Sequence, residues 1–242
     1  MSFNTNGGTP ATIEAITQDF ETSITAPENP TREHYTFSGW SPSIPASMPA
    51  QDMTCTAQWT PVNYSITYNM NNGTNNSNNP STYTIESNAI TLQAPTRTGY
   101  DFAGWTGSNS STAQTSVTIA KGSTGNKSYT ANWTPITYTI SYTLNGGSVS
   151  GNNPTSYTIE SNAITLNNPT RTGYTFKGWS GTGLNGDSNT SVTIANGSTG
   201  NRTYTANWTP IIYTITYDLK GGTVSTNNPA KYTIEIRRYN AE

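Results

Sequence analysis

This chain has little charge, few aliphatic side chains and almost no cysteine or histidine. Lys, Arg, Asp and Glu make up 10% of its 242 residues, against roughly a quarter in an average soluble domain. The signs nearly cancel, with 11 basic and 13 acidic side chains and a net charge of −2. No stretch gathers Lys and Arg, which argues against nucleic acid or an anionic membrane surface as partner, because both are held through phosphate neutralisation. No apolar run approaches the ~20 residues of a membrane-spanning helix, so no membrane insertion is expected of this segment. The opening MSFNTNGG has none of the pattern of a signal peptide. The single cysteine, Cys55, excludes an internal disulfide framework and fits either redox compartment. His34 is the only histidine, the five Asp are scattered, and no CxxC, HExxH or EF-hand spacing occurs. The sequence therefore predicts no catalytic, cofactor or metal site, since each of these needs several such groups converging.

Hydroxyl and amide side chains take the place of the missing charge. The chain holds 46 Thr and 29 Asn, a composition that suits β-strands with a hydroxyl face joined by Asn-rich turns. Six Trp, 15 Tyr and five Phe recur at fixed positions, which a disordered, solvated tail would not show.

Residues 138–210 form a unit that recurs before and after itself. Tyr64, Pro80, Tyr100 and Trp105 stand 74 residues before Tyr138, Pro154, Tyr174 and Trp179, and Tyr129 and Trp133 stand 75 before Tyr204 and Trp208. Tandem repetition of a unit this small predicts an array of modules, each with its own core. The divisions are 1–61, a shortened first repeat that starts halfway along a strand; 62–135; 136–210; and 211–242, the opening two strands of a fourth. Trp40 and Trp59 are 19 residues apart, against 28 and 29 for the later tryptophan pairs, so repeats two and three carry extra loops near residues 108–114 and 182–189. The joint between repeats is only WTP-x-x-Y, too short and too proline-bound to act as a flexible tether. A stiff rod on the order of 90 Å is expected from three units of this size.

Within a unit the strand signals are sharp. In Tyr138-Thr139-Ile140-Ser141-Tyr142-Thr143-Leu144 large and hydroxyl residues alternate, the period of a half-buried strand. Further strands are expected at Tyr157-Thr158-Ile159-Glu160, at Ile164 and Leu166, from Tyr174 to Trp179, at Val192 and Ile194, and from Tyr204 to Trp208. Gly146-Gly147 and Gly221-Gly222 are expected to supply positive φ at a turn. PTRTGY, residues 169–174, is the one candidate for a helical turn, with Pro leading and Gly trailing. The fold class predicted is mainly β, α+β at most. At the far end, two strands without partners should fray, pack on repeat three or pair with a neighbour.

With so few aliphatic residues, aromatics must supply the core. The core is assigned to Trp40, Trp59, Trp105, Trp133, Trp179 and Trp208 with Tyr138, Tyr142, Tyr174, Phe176 and Tyr204. The competing reading of the tryptophans is sugar stacking. His34 stands in a turn where the other repeats have Gly99 and Gly173, and reads as a tolerated replacement. Cys55 takes a position held elsewhere by Tyr129 and Tyr204, and reads as a small buried hydrophobe. Glu86, Glu160 and Glu235 recur once per repeat in TIE and suggest a structural ion pair with Arg97 or Arg171.

The signature NGG, then TRTGYTFKGW, then a closing TANW, with MPAQDMTCTAQW at residues 48–59, resembles the internalin B-repeat-like family, the Listeria-Bacteroides repeat. The resemblance spans nearly the whole chain. It implies small β-grasp-like units, each a small mixed sheet with about one helical turn, strung on secreted or wall-anchored bacterial proteins. Repeats two and three depart from it, with VTIANGSTGN where the first has MPAQDMT. What the resemblance implies for function is a non-enzymatic spacer, stalk or adhesion module, extracellular or at the cell surface, meeting a protein or glycan of a host or neighbouring cell. The alternative is a glycan-binding module built on exposed aromatics or on the two insertion loops.

Overall fold

The structure, a computed structural model of the full chain, describes residues 1–223 and 226–235. It is all-β: no helix occurs among the described residues. Repeat three gives the plan. Its alternating strand Tyr138–Thr143 runs parallel to Arg202–Pro210 and antiparallel to Ser156–Tyr157, and Tyr174–Gly181 flanks Arg202–Pro210 on the other side, antiparallel. Two ribbons complete the unit, Ser148–Val149 with Pro169–Thr170 and Ile164–Thr165 with Thr193–Ile194. Repeat two repeats the four-stranded order with Thr82–Tyr83, Tyr64–Asn69, Lys127–Pro135 and Tyr100–Gly107. In repeat one the sheet has three strands, Ser2–Asn4, Thr54–Pro61 and Tyr35–Ser41, and in repeat four Tyr213–Thr214 pairs with Lys231–Tyr232. The chain is thus a tandem series of small mixed sheets.

The alternation works as the period demands. Ile140 is buried between half-buried Tyr138 and Tyr142, while Thr139, Ser141 and Thr143 are exposed. Opposite them Tyr204 and Ala206 point inward from the parallel partner, in register with Tyr142 and its neighbours. Ile140, Tyr157, Leu166, Trp179, Ile194 and Tyr204 close one core, and Ile66, Tyr83, Leu92, Trp105, Ile119 and Tyr129 close its counterpart in repeat two.

Three local expectations are corrected. PTRTGY is not a helical turn. Pro169–Thr170 is extended and paired with Ser148–Val149, and the turn is tight, with Tyr174 N–H donating to the Arg171 carbonyl at 3.2 Å. Pro leading and Gly trailing serve a β-connection equally well, so that signal does not discriminate. The second strand stops at Tyr157: Thr158 N–H donates to Ser161 Oγ at 2.9 Å and Ser161 N–H to the Thr158 carbonyl at 3.1 Å, leaving Ile159 and Glu160 on a turn. In the NGG motif the positive φ falls on Asn145 (50°) and Gly146 (83°), not on Gly147. Gly147 is there for space, since a Cβ would lie 2.4 Å from Cζ2 of Trp208. Gly8 and Gly73 stand in the same relation to Trp59 and Trp133, at 2.6 and 2.4 Å.

By proximity the chain forms two compact units, Met1–Thr98 with Phe102–Thr134, and Gly99–Asp101 with the residues from Pro135 onward. No helix among the described residues is long and apolar enough to cross a membrane. The departure of Ile236-Arg237-Arg238-Tyr239 from the repeat pattern lies outside the described residues.

Candidate functional site: tryptophan covers, repeat joints and an aromatic groove

The six tryptophans divide into two kinds. Trp105 and Trp179, the GW tryptophans of repeats two and three, are 0% exposed, whereas Trp40, Trp59, Trp133 and Trp208 are half-buried. The insertion loops make the difference. Each folds back so that one residue pairs with the tryptophan backbone on the outer edge of its strand. Trp179 N–H donates to the Asn189 carbonyl at 2.8 Å, and Asn189 Nδ2 donates to the Trp179 carbonyl at 3.0 Å. Trp105 and Gln114 exchange both backbone bonds, at 2.8 and 3.0 Å. Repeat one lacks the loop. The glycine before each tryptophan makes room for this return. A Cβ at Gly178 would lie 2.3 Å from the Ser188 backbone and one at Gly104 2.7 Å from Gln114, but one at Gly39 would meet nothing within 4 Å. The loops are therefore covers for the indoles. Lys177 Nζ ties the repeat-three loop down through Asp187 at 2.6 Å, and that hydrogen bond is the main cause holding the Asp187 carboxyl below its ordinary range.

The closing tryptophans have another duty. Trp208 Nε1 donates to the Leu144 carbonyl at 3.0 Å, Trp133 Nε1 to Met70 at 2.9 Å and Trp59 Nε1 to Thr5 at 3.1 Å, each holding the first residue of the NGG-type turn. Beside them the turn asparagines Asn145, Asn71 and Asn6 donate Nδ2 to the carbonyls of Ala206, Ala131 and Ala57. Phe176 packs edge-on against both Trp179 and Trp208, with ring centroids 5.5 Å apart in each case. Tyr142 stacks on Tyr204, and Tyr138 tilts against Tyr157. Tyr174 is half-buried at the rim.

Where one repeat meets the next, the same construction recurs. The glutamates of TIE meet tyrosines of the preceding repeat, and among the described residues Glu235 makes no ion pair with Arg171. Tyr35 OH donates to Glu86 Oε1 at 3.0 Å, Tyr100 OH to Glu160 at 2.9 Å and Tyr174 OH to Glu235 at 3.1 Å. For Tyr35 and Tyr174, desolvation first and the carboxylate hydrogen bond second push the phenol pKa up. The connecting segment is tied back by its own backbone: Val62 N–H donates to the His34 carbonyl at 2.9 Å, Ile136 to Gly99 at 3.0 Å and Ile211 to Gly173 at 2.9 Å. Gly99 and Gly173, at φ 78° and 80°, lie so close to Ile159 and Ile234 that a Cβ would approach within 2.6 and 2.7 Å. His34 occupies that position in repeat one at φ 66°, and its Nδ1 and the Tyr64 hydroxyl share a hydrogen bond of 2.8 Å. Sequence reading singled out these glutamates and missed their tyrosines. The signal was present, because a Tyr of PTRTGY and a Glu of TIE recur together in repeats two and three.

The arginines of PTRxGY lie flat on their tyrosines: Arg171 Cζ is 3.7 Å from the Tyr174 ring centre and Arg32 Cζ is 3.9 Å from that of Tyr35. In repeat three this stack borders an open groove of about 410 Å³ that also takes in Ser148, Thr170, Phe176 and Trp208. Cys55 is fully buried, with Sγ 3.9 Å from Met1 Sδ, and burial pushes its thiol pKa up, away from the reactive thiolate. Among the described residues no three His, Cys, Asp or Glu side chains converge as a metal site.

Three stretches of the chain, residues 1–58, 64–132 and 138–207, match the Listeria-Bacteroides repeat domain. The chain is also similar to a protein of Evansella cellulosilytica named as a Gly-rich membrane protein, with 25% identity over 244 aligned positions, 96% of this chain and 27% of that protein. It thus spans about a quarter of that relative's length. No solved structure matches the chain.

Proposed function

We propose that this chain, which belongs to the Listeria-Bacteroides repeat domain family, is a non-enzymatic spacer of a bacterial surface or secreted protein, holding other parts of that protein at a set distance and presenting its own faces for adhesion. The observation that carries this reading is the joint. Within each compact unit the connection between repeats adds a backbone hydrogen bond and a Tyr to Glu hydrogen bond to a proline-bound linker, Val62 to His34 with Tyr35 to Glu86 in one and Ile211 to Gly173 with Tyr174 to Glu235 in the other. A linker whose own N–H is spent on the preceding repeat has lost the torsional freedom that lets modules swing. The name of the Evansella relative, a membrane protein much longer than this chain, supports placement at the cell surface. Buried core tryptophans and covering loops support the spacer reading over sugar binding by Trp105 and Trp179, which have no exposed face.

Small-angle scattering on the full chain tests it. The expected profile is extended, and insertion of two glycines after Pro61, Pro135 and Pro210 should broaden it. A compact profile, or one the insertions leave unchanged, would overturn the reading.

A further inference from the structure

We propose that the groove beside Arg171 in repeat three is a subsite for a carboxylate-bearing sugar, such as a uronic acid unit of a polysaccharide. Two features of the groove carry this. The first is its lining, which sets the half-buried rings of Trp208, Phe176 and Tyr174 next to the hydroxyls of Ser148 and Thr170 in an open space of about 410 Å³. Aromatic surface beside hydroxyl groups suits the apolar face and the ring of hydroxyls of a pyranose.

The second is the state of the arginine. Its guanidinium lies over Tyr174 at 3.7 Å, and Gly146 backs it so closely that a Cβ there would come within 3.4 Å of Nε. Stacking occupies the face of a guanidinium and leaves its edge donors free, and a planar fork fixed in place matches a carboxylate in two-point geometry. Among the described residues Arg171 has no ion pair, and Glu235, bonded to the phenol end of the same ring, makes none with it. The cation is thus half-buried and, among the described residues, without a carboxylate partner, which is the condition an anionic ligand relieves. The arrangement is built twice in the same way: Arg32 lies over Tyr35 at 3.9 Å with Gly7 behind it, its Nη1 donating to the Asn6 carbonyl at 3.4 Å. Arg97, Tyr100, Phe102 and Trp133 hold the corresponding sequence positions in repeat two.

The test is calorimetric titration of the full chain with short oligogalacturonates, and with neutral oligogalactosides of the same length. The uronate should bind at least tenfold more tightly than the neutral sugar, and R32Q/R97Q/R171Q should lose at least tenfold in affinity while K177Q, which removes a surface cation outside the groove, keeps it. S148W, at an exposed strand position, should fill the repeat-three groove without touching the core and lower the bound stoichiometry. It decides the matter if the triple variant fails to fold. No uronate binding at millimolar concentration, equal binding of the neutral sugar, an equal loss in K177Q, or unchanged binding in both groove variants would overturn the proposal. The spacer reading does not depend on this result, since scattering from the unliganded chain tests it separately.

Discussion

Trp179 donates its indole N–H to Oδ1 of Asn168 at 3.0 Å, and in the preceding repeat the corresponding Trp105 Nε1 is buried with no partner among the described residues, because Ala94 stands where Asn168 does. An unpaired buried donor costs about 1–3 kcal/mol. Ala94 is exposed, so an asparagine there has room. A94N should stabilise repeat two by about 1 kcal/mol, and N168A should weaken repeat three by about as much or more. Hydrogen exchange of Lys127–Pro135 and Arg202–Pro210 reads the two repeats separately. Movement of both variants in the same direction would refute this account of the indole.

Glycine at the GW position serves two purposes, and a methyl group separates them. Gly39 and Gly178 both have φ in the left-handed range, at 127° and 146°, but only Gly178 is pressed by a returning loop. G39A should cost about 1–3 kcal/mol, the strain of that backbone alone. G178A should cost more and lift the loop, so that Trp179 becomes quenchable by acrylamide. Equal costs, with Trp179 still shielded, would show that the loop does not depend on the glycine.

At the joint, G173A places a Cβ against Ile234 and should loosen the contact there. We expect faster amide exchange in residues 226–235, with the core of repeat three unchanged. The Y174F variant removes the hydrogen bond to Glu235 and should act on the same amides more weakly, because the bond is exposed.

Alkaline stability follows from half-buried phenols. Desolvation, with a smaller contribution from Tyr129 and Tyr204 respectively, raises Tyr68 and Tyr142 from 10.0 to about 12. A folded pKa above the unfolded one means that this stability is fully present below pH 10 and is lost as pH rises towards 12. Tyrosinate absorbance should rise together with loss of near-ultraviolet dichroism. Full ionisation of these two tyrosines at pH 10 in a folded chain would contradict their burial.

What the sequence determined by itself was the repetition, the strands and the reliance on aromatics. Alternation of Tyr, Ile and Tyr with Thr and Ser is a local code, read by any stretch whose one face is withdrawn from water. Tertiary structure decided the rest, because it concerns partners far apart along the chain. Glu235 meets Tyr174 rather than Arg171, Gly147 is kept for the edge of Trp208 rather than for its φ, and Trp179 is hidden because Asn189 returns to it. Periodicity tells which face of a strand turns inward. It does not tell what comes to lie over it, since that depends on how loops of 9 and 10 extra residues and successive sheets fill space.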